Sequence, residues 1–362
     1  MITAHPKEEA RHKKKQRSWK EAIIDKVRIG IIGAGRIGQL HARHLSMYVP
    51  EADVVAVSDI LESAASECAT RWRIPEVYGG PEPILANPKI DAVLICTGTD
   101  THAGLIKEAA GAGKHIFCEK PIALDLPSID RALEAARSAG VCLQIGFNRR
   151  FDPNFREARR QVEAGEIGTP HVVRITSRDP APPPLAYIEG SGGIFLDMTI
   201  HDFDMARYIV GDEVVEVFAQ GSVLIDPEIE KAGDVDTAVV CLRFRNGALG
   251  VIDNSRQAVY GYDQRLEVLG EKGRVLVENP IPHTAVRSSA DGNHTPPLLP
   301  FFLERYADSF IEEVRLFVTS IQAGTPPAVS GEDGRVAVVM ALAAQRSLRE
   351  GRPIPLSEIE LN

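Results

Sequence analysis

The sequence predicts an α/β protein in two parts: a doubly wound domain with a parallel sheet, then an α+β domain with a large, mostly antiparallel, open sheet. Three observations lead to this fold class. Continuous apolar runs alternate with helical segments from Val27 onward, as expected for parallel strands that are buried on both faces. A glycine-rich turn separates the first run from the first helix. After Phe147, apolar and polar residues alternate along longer segments, which is typical of antiparallel strands.

The elements of the first domain, residues 27–146, follow from this alternation. Short apolar runs predict strands, and apolar residues three or four positions apart predict helices. In chain order we expect strands and helices in turn at Val27–Ile32, Arg36–Met47, Asp53–Ser58, Leu61–Trp72, Asp91–Cys96, Thr101–Ala112, His115–Cys118, Pro127–Ala139 and Val141–Ile145. Right-handed crossovers would join the strands into one parallel sheet that is covered on both faces.

The second domain, residues 147–362, has longer alternating segments separated by turns such as Asn246-Gly247, which favour antiparallel hairpins. A charged helix is expected first, then a stiff proline-rich loop at Pro180–Pro184. In chain order the helix and the strands are predicted at Asp152–Ala164, Glu213–Leu224, Val235–Phe244, Ala248–Gln257, Arg265–Leu269 and Arg274–Val277, followed by helices at Phe302–Gln322 and Gly334–Glu350.

Composition limits the classes of protein that the chain can belong to. Its 362 residues, 44% hydrophobic and 25% charged, fit a globular protein of two domains. The net charge of −9 argues against nucleic acid or an anionic membrane as a partner, because both attract positive surfaces. The longest apolar stretch, Val336–Ala344, is too short to span a membrane. Five scattered cysteines without a CxxC pair indicate reduced thiols and a cytoplasmic protein.

Residues 1–26 form a separate leader. The run His12–Arg17 is basic, and no apolar segment follows it, which excludes a secretory signal. We interpret the leader as a disordered, solvated extension. A nuclear-type or anionic-surface patch is the alternative.

The motif GxGxxG occupies residues 33–38, between the first strand and the first helix. Gly33 would permit the tight turn, Gly35 the approach of a pyrophosphate to the backbone, and Gly38 close packing of helix on strand. The helix N-terminus at Arg36 and Ile37 would supply free N–H groups and the positive end of the helix dipole. This context predicts a dinucleotide-binding Rossmann domain, with a plain strand-to-helix turn as the alternative.

Asp59 ends the second strand, at the position where an acidic residue accepts hydrogen bonds from the adenosine ribose. Its charge would repel a 2′-phosphate, so the sequence predicts NAD rather than NADP as cofactor. A helix N-cap is the alternative role. Thr97, Thr99 and His102 follow the strand of residues 91–96 and are expected near the cofactor, because ligands bind at the carboxyl ends of parallel strands.

Glu119 and Lys120 come directly after another buried strand, which places the lysine where the nicotinamide should lie. Lys120 could polarise or position a substrate oxygen there, and a surface lysine is the alternative.

Asp197 and His201 are four residues apart in a segment whose apolar residues suggest a helix, so they would share one face. A carboxylate bonded to an imidazole stabilises the cation that forms when histidine accepts a proton. The alternatives are a structural pair and a zinc site, for which no third ligand is apparent. His41 and His44 on the first helix are expected to face solvent.

These segments together resemble the Gfo/Idh/MocA oxidoreductases over about residues 27–350. The likeness rests on GAGRIG at 33–38, Glu-Lys-Pro at 119–121, GFNRRFD at 146–152 and SGGIFLDMTIHDFDMARY at 191–208. It implies a catalytic set of Lys120, Asp197 and His201, with Glu119 and Lys120 also near the cofactor. The resemblance further implies that the substrate is read by Arg149, Asp179, Asp204 and Tyr262, and that the protein is a homotetramer. No metal is expected, because the sequence offers no third ligand near Asp197 and His201.

Within that family, SRDPAPPP at 177–184 and DNSRQAVYGYDQRLEVLG at 253–270 are similar to the members that oxidise inositols. The expected activity is NAD-dependent oxidation of a cyclic polyol, myo-inositol to 2-keto-myo-inositol, with His201 as base, Asp197 orienting it, and Lys120 holding the ketone oxygen. The alternatives are another inositol isomer or a pyranose, a non-catalytic regulator that binds NAD and a sugar, and an NAD-dependent glycosidase.

Overall fold

The computed structural model describes residues 26–360, so the predicted leader lies outside the described residues except for Lys26. The first sheet has six parallel strands in the order β3-β2-β1-β4-β5-β6. The strands are Val27–Ile32 (β1), Ala52–Ser58 (β2), Glu76–Tyr78 (β3), Ala92–Ile95 (β4), His115–Glu119 (β5) and Leu143–Gly146 (β6). The strand order reverses beside β1, and this switch point opens a crevice at the carboxyl ends of β1 and β4.

The segments between these strands form helices, because apolar residues recur on one face of each segment and pack on the sheet. They are Arg36–Tyr48 (α1), Glu62–Trp72 (α2), Glu82–Ala86 (α3), Thr99–Gly111 (α4) and Leu126–Ala139 (α5). Asp125 caps α5 by accepting a hydrogen bond from the Ser128 amide, and Gly140 ends it at φ 65°, a conformation that glycine adopts without steric cost.

The second sheet has seven strands in the order β12-β11-β7-β10-β9-β8-β15. They are Pro170–Arg178 (β7), Val214–Ser222 (β8), Thr237–Phe244 (β9), Leu249–Ser255 (β10), Asp263–Gly270 (β11), Gly273–Val277 (β12) and Ile354–Pro355 (β15). All pairs are antiparallel except β7 with β10. The predicted fold class is therefore confirmed, although the sequence did not indicate β7. A separate small hairpin pairs Arg287–Ser289 (β13) with Gly292–His294 (β14).

The remaining helical elements follow β6 in the chain, and several of them cover one face of the second sheet. The elements are a 3₁₀ turn at Asn148–Phe151, Pro153–Glu163 (α6), Leu185–Ser191 (α7), a π-helical turn at Phe195–Thr199, Ile200–Val210 (α8), Glu228–Lys231 (α9), Phe302–Arg305 (α10), Ala307–Ala323 (α11), Gly331–Glu350 (α12) and Ser357–Glu360 (α13). Along β9, Val240, Leu242 and Phe244 point into the core, while Val239 is exposed. The opposite sheet face is therefore open.

Helix α11 packs not on the second sheet but on the first domain. Its Val314 and Phe317 are buried in one cluster with Ile29 and Ile31 of β1. Because α11 lies against α1, one face of α1 is buried as well. The expectation that His41 and His44 face solvent was wrong, since the residues are 0% and 3% exposed.

Within residues 26–360, no helix combines the length and the apolar character that a membrane span requires.

Candidate active site

The geometry of the glycine-rich turn agrees with the role predicted for each of its three glycines. Gly33 has φ +98°, and a Cβ there would lie 2.7 Å from the Cys96 carbonyl. A Cβ on Gly38 would lie 1.9 Å from the Gly33 oxygen, so helix α1 and strand β1 meet too closely for any other residue. A Cβ on Gly35 would meet no described atom within 4 Å beyond its chain neighbours. The backbone therefore borders open space at Gly35, and this cradle fits a pyrophosphate.

Arg36 and Ile37 begin helix α1, where the first N–H groups have no partner within the helix. The Arg36 guanidinium lies over the ring of Phe302, 5.3 Å from its centroid. An aromatic residue of the second half of the chain thus contacts the edge of the cradle.

Asp59 is fixed beside the glycine turn. Its Oδ2 accepts a hydrogen bond from the Ala34 amide at 2.7 Å, and its Oδ1 accepts one from the Leu61 amide at 2.9 Å. It therefore shapes both the turn and the start of α2. It remains half exposed at the crevice, where its charge can act on a ribose.

The loop after β4 is held together by its own hydroxyl groups. The Oγ1 atoms of Thr97 and Thr101 are 2.6 Å apart, and Thr101 donates to the Gly98 carbonyl at 2.8 Å. Thr99 starts α4 and is half-buried. Thr97 and Thr99, the two threonines that were predicted to lie near the cofactor, are thus at the carboxyl edge of the sheet.

His102 does not line the crevice, contrary to its predicted contact with the cofactor. It is 1% exposed, and its ring nitrogens lie 2.8 Å from the Pro121 carbonyl and 3.2 Å from the Thr97 carbonyl. Burial lowers its pKa, so the ring is neutral and donates to one carbonyl at a time. The prediction failed because His102 lies on the inward face of α4. Its ring is therefore placed between the loop of Thr97 and the loop of Pro121, and it bonds to both.

Glu119 ends β5 and points toward the first helix. Its Oε1 lies 2.8 Å from Nε2 of the buried His41. The buried acid Glu313 on α11 is close behind, and burial together with the charge of Glu119 raises its pKa well above the usual range. Glu119 thus connects β5 to α1, which carries the glycine turn.

Lys120 and Asp197 lie together, although they are 77 residues apart in the chain. The Lys120 ammonium donates to the Asp197 backbone carbonyl at 2.8 Å and lies 3.3 Å from Oδ1. Its side chain is only 16% exposed, which excludes the alternative of a surface lysine. A cation is therefore fixed at the carboxyl edge of the parallel sheet.

Asp197 does not bond to His201, contrary to the predicted pairing. Its Oδ1 also accepts a hydrogen bond from the Tyr187 hydroxyl at 2.8 Å, and its Oδ2 lies 3.4 Å from the Arg256 guanidinium. Burial alone would raise its pKa, but the charges of Lys120 and Arg256 hold the pKa below its usual value. The carboxylate turns to two cations rather than to a neutral ring, because ionic partners attract it more strongly.

His201 lies near the same lysine. Burial, and then the charges of Lys120 and Arg149, hold its pKa well below 6.5. Its Nδ1 has no hydrogen-bond partner in the described part of the chain, and its ring meets Phe147 edge-on at 5.8 Å. The imidazole is therefore neutral near pH 7 and able to accept a proton.

Arg149 is buried beside His201 in a network that sequence reasoning missed. It donates to Asp202 Oδ1 at 2.6 Å and to the Ser177 hydroxyl at 3.2 Å. Asn254 donates to the other oxygen of Asp202 at 2.8 Å. This pairing fixes the Arg149 side chain, which was predicted to read the substrate, in one orientation.

Asp179 and Tyr262, which were predicted to read the substrate, both lie near Arg149 and Asp202. Burial and the charge of Asp197 raise the pKa of Asp179 to about 6, while Arg256 and Arg149 oppose that rise. No hydrogen bond to the Asp179 carboxylate is found among residues 26–360. Tyr262 is buried against Phe301 and Tyr306, and burial raises its pKa.

Asp204 was predicted to lie near the substrate, and the structure contradicts this. It is 0% exposed, and both of its oxygens accept hydrogen bonds from Arg150, which also bonds to Asp333 of α12. The helix that places His201 toward the crevice turns Asp204 into the core. Its role is to anchor α8 to its neighbours.

No group of three or more His, Cys, Asp or Glu side chains able to hold a metal is present in residues 26–360.

Comparison with known proteins agrees with this geometry. The family model described as "Oxidoreductase family, NAD-binding Rossmann fold" matches residues 27–147, and the "GFO/IDH/MocA C-terminal domain" matches residues 155–276. The chain belongs to the Gfo/Idh/MocA family. The predicted family is thus confirmed, and so is NAD as the cofactor of this Gfo/Idh/MocA protein.

Several relatives match nearly the whole chain. The myo-inositol 2-dehydrogenase of Thermotoga maritima is 55% identical over 92% of this chain and 99% of its own length. The inositol 2-dehydrogenase of Rhizobium meliloti is 47% identical over 91% of this chain and 99% of its own length. Among solved structures, scyllo-inositol dehydrogenase from Lactobacillus casei with bound NAD(H) and scyllo-inositol is 30% identical, with a TM-score of 0.86 over 92% of this chain and 99% of that one.

Proposed function

We propose that this protein oxidises myo-inositol at C2 to 2-keto-myo-inositol with NAD as the hydride acceptor. The observation that carries the proposal is the position of Lys120, which directly follows strand β5 of the NAD-binding sheet and bonds to Asp197 of the second domain. His201 lies near the same ammonium group. A cation and a neutral base therefore meet beside the dinucleotide cradle, as alcohol oxidation requires.

Each residue has a distinct task in the reaction. Bound NAD would supply the acceptor for the hydride that leaves the hydroxyl-bearing carbon. His201 accepts the hydroxyl proton, because burial keeps its imidazole neutral. Lys120 donates a hydrogen bond to the oxygen that becomes the ketone, and this interaction strengthens as negative charge develops on the oxygen. Asp197 holds the Lys120 ammonium in place, rather than orienting His201.

A polyol also needs groups that fix the orientation of its ring. Asp179 can accept hydrogen bonds from hydroxyl groups, since its carboxylate has no protein donor in the described part of the chain. The phenol of Tyr262 can donate or accept. Arg149 donates a hydrogen bond to the Asp202 carboxylate and lies near both Asp179 and Tyr262. We propose that Asp179 and Tyr262 read the remaining hydroxyl groups directly, with Arg149 beside them.

Identity to the relatives favours the myo isomer over the scyllo isomer. The relatives named for myo-inositol or inositol are 55% and 47% identical to this chain, whereas a scyllo-inositol 2-dehydrogenase of Bacillus subtilis is 38% identical. The two isomers differ in the direction of one hydroxyl group. A dehydrogenase of another inositol or of a pyranose is therefore the second candidate.

The test is NADH formation with myo-, scyllo- and D-chiro-inositol and glucose, followed by identification of the product. We expect the highest kcat/KM with myo-inositol. His201→Ala should lower kcat by about 10²–10⁴-fold while NADH binding, followed by fluorescence, stays unchanged. The exposed His283 provides the matched control, His283→Ala, with wild-type rates.

Three results would contradict the proposal. NAD and inositol binding without turnover would indicate a regulator, and release of free sugar from a glycoside would indicate a glycosidase. Wild-type turnover in His201→Ala would remove that residue from the mechanism.

We further propose a homotetramer in the cytoplasm. The outer face of the second sheet carries exposed apolar side chains at Val239, Leu249, Leu269 and Leu276, which a second copy can cover. The five free thiols suit a reducing compartment. Light scattering on wild type and on Leu249→Glu tests the assembly, and a monomeric wild type would contradict it.

A further inference from the structure

Arg256 is a buried cation in the candidate site that has no role in the mechanism above. It follows directly after strand β10, and its side chain is 1% exposed. Nη1 lies 3.4 Å from Asp197 Oδ2, and Nη2 lies 3.5 Å from Asp234 Oδ2. A guanidinium that joins two carboxylates in this way sets the distance between the segments that carry them.

Asp234 anchors the start of the π-helical turn on which Asp197 lies. Both of its oxygens are 3.0 Å from the Ile194 amide. Gly193 has φ +81°, and a Cβ there would lie 2.7 Å from Asp234 Oδ1. The Asp234 carboxylate thus packs against the backbone at residues 193 and 194, and Arg256 links Asp197 to it.

The groups that face Asp197 come from four elements. Lys120 approaches from the end of β5, Tyr187 from α7, Arg256 from the end of β10 and Asp179 from the end of β7. Of these, Arg256 and Lys120 carry the positive charges. Without Arg256, the Asp197 carboxylate would keep Lys120 as its cationic partner while the charge of Asp179 still repelled it.

Asp179 responds to the same cation. The groups that act on its pKa are Asp197 and Asp202, which raise it, and Arg256 and Arg149, which lower it. Arg256 therefore influences both the residue that holds the catalytic lysine and the residue that accepts substrate hydroxyl groups.

We propose that Arg256 is a positioning residue of the dehydrogenation: it holds Asp197 against Lys120 and balances the charge shared by Asp197 and Asp179. The inference rests on the proposed function, since it concerns the same site.

The experiment compares Arg256→Met and Arg256→Lys with wild type over a range of pH. We expect Arg256→Met to lower kcat about 10–100-fold, the range for a lost hydrogen bond to a charged group, with NADH binding unchanged. The acid limb of kcat/KM for the polyol should lie near pH 6 in wild type, from the pKa of Asp179. It should move upward by about one pH unit in Arg256→Met, because a cation no longer stabilises the carboxylates.

Arg256→Lys retains a cation, so its acid limb should stay near that of wild type while kcat falls by a smaller factor. Arg137→Met is the matched control, because Arg137 is an exposed arginine whose partner lies on its own helix. Its profile should equal that of wild type.

An unmoved acid limb in Arg256→Met, or wild-type kcat there, would overturn the proposal. If Arg256→Met does not fold, Arg256→Lys decides, and an unchanged kcat in that variant would overturn it. Absence of turnover in wild type itself would instead overturn the proposed function, so the two failures are distinguishable.

Discussion

Two glycine-to-alanine substitutions in the glycine turn should differ in their effect on stability. Gly38→Ala would place a methyl group 1.9 Å from the Gly33 oxygen. An ordinary contact between carbon and oxygen is about 3.3 Å or more, so helix and strand must separate by about 1.4 Å. Gly35, the N-cap of α1, has φ −68°, which alanine adopts without strain. A Cβ there would meet no described atom within 4 Å beyond its chain neighbours.

The magnitudes follow from these distances. Overpacking of this kind costs about 1–3 kcal/mol of unfolding free energy, so Gly38→Ala should lower Tm by roughly 2–4 °C for each kcal/mol. Gly35→Ala loses only the preference for glycine at an N-cap, about 0.5–1 kcal/mol. Its methyl group occupies the cradle, however, and loss of a hydrogen bond to a charged phosphate should weaken NADH binding about 10–100-fold.

Differential scanning calorimetry and NADH fluorescence titration separate the two effects. Gly35→Ala should have nearly wild-type Tm and weak binding, whereas Gly38→Ala should lose both stability and binding. Wild-type affinity in Gly35→Ala would refute the assignment of the cradle. A wild-type Tm in Gly38→Ala would refute the close approach of helix α1 to β1.

Three further predictions concern single side chains. Asp59→Ser should raise KM for NAD and narrow the preference for NAD over NADP, because the charge that repels a 2′-phosphate is removed; an unchanged ratio of kcat/KM values would exclude Asp59 as the selector. Asp204→Asn should lower the unfolding free energy by about 3–5 kcal/mol, the cost of breaking a buried ion pair, without changing KM for the polyol; a raised KM at wild-type Tm would restore its predicted role at the substrate. Burial and the nearby His41 and Arg43 lower the pKa of His44 to about 3, so stability should fall by up to about 1.4 kcal/mol per pH unit as pH drops below about 6.5. His44→Gln should flatten Tm between pH 6.5 and 4, and an equally steep decline would contradict this assignment.

The parallel sheet could be predicted from the sequence because its strands are buried on both faces. Val27–Ile32 and the later apolar runs have a local signal that does not depend on distant residues. Strand β7, Pro170–Arg178, was missed because its sequence PHVVRITSR has apolar residues only at Val172, Val173 and Ile175 and leads into a proline-rich loop. Its place between β10 and β11 depends on partners about eighty or more residues away, which no local pattern contains.

The three residues predicted as the catalytic set lie close together, but not in the predicted pairing. Lys120, Asp197 and His201 are near one another, yet spacing along the chain suggested the wrong partner for Asp197. A spacing of four residues identifies a shared helical face, whereas the choice of partner depends on which charges the fold brings to that face. Arg256 follows the end of a strand just as Lys120 does, so its position was the signal that could have identified it.

Helix α11 also affects how the chain folds as it is synthesised. When the ribosome has made residue 147, all strands of the first sheet exist, but Val314 and Phe317, which complete their core, do not. At about 5–20 residues per second, the remaining residues up to the end of α11 take roughly 10–35 s. During that interval the nascent first domain presents an unfinished apolar surface, and it is completed by a helix that emerges only after most of the second domain.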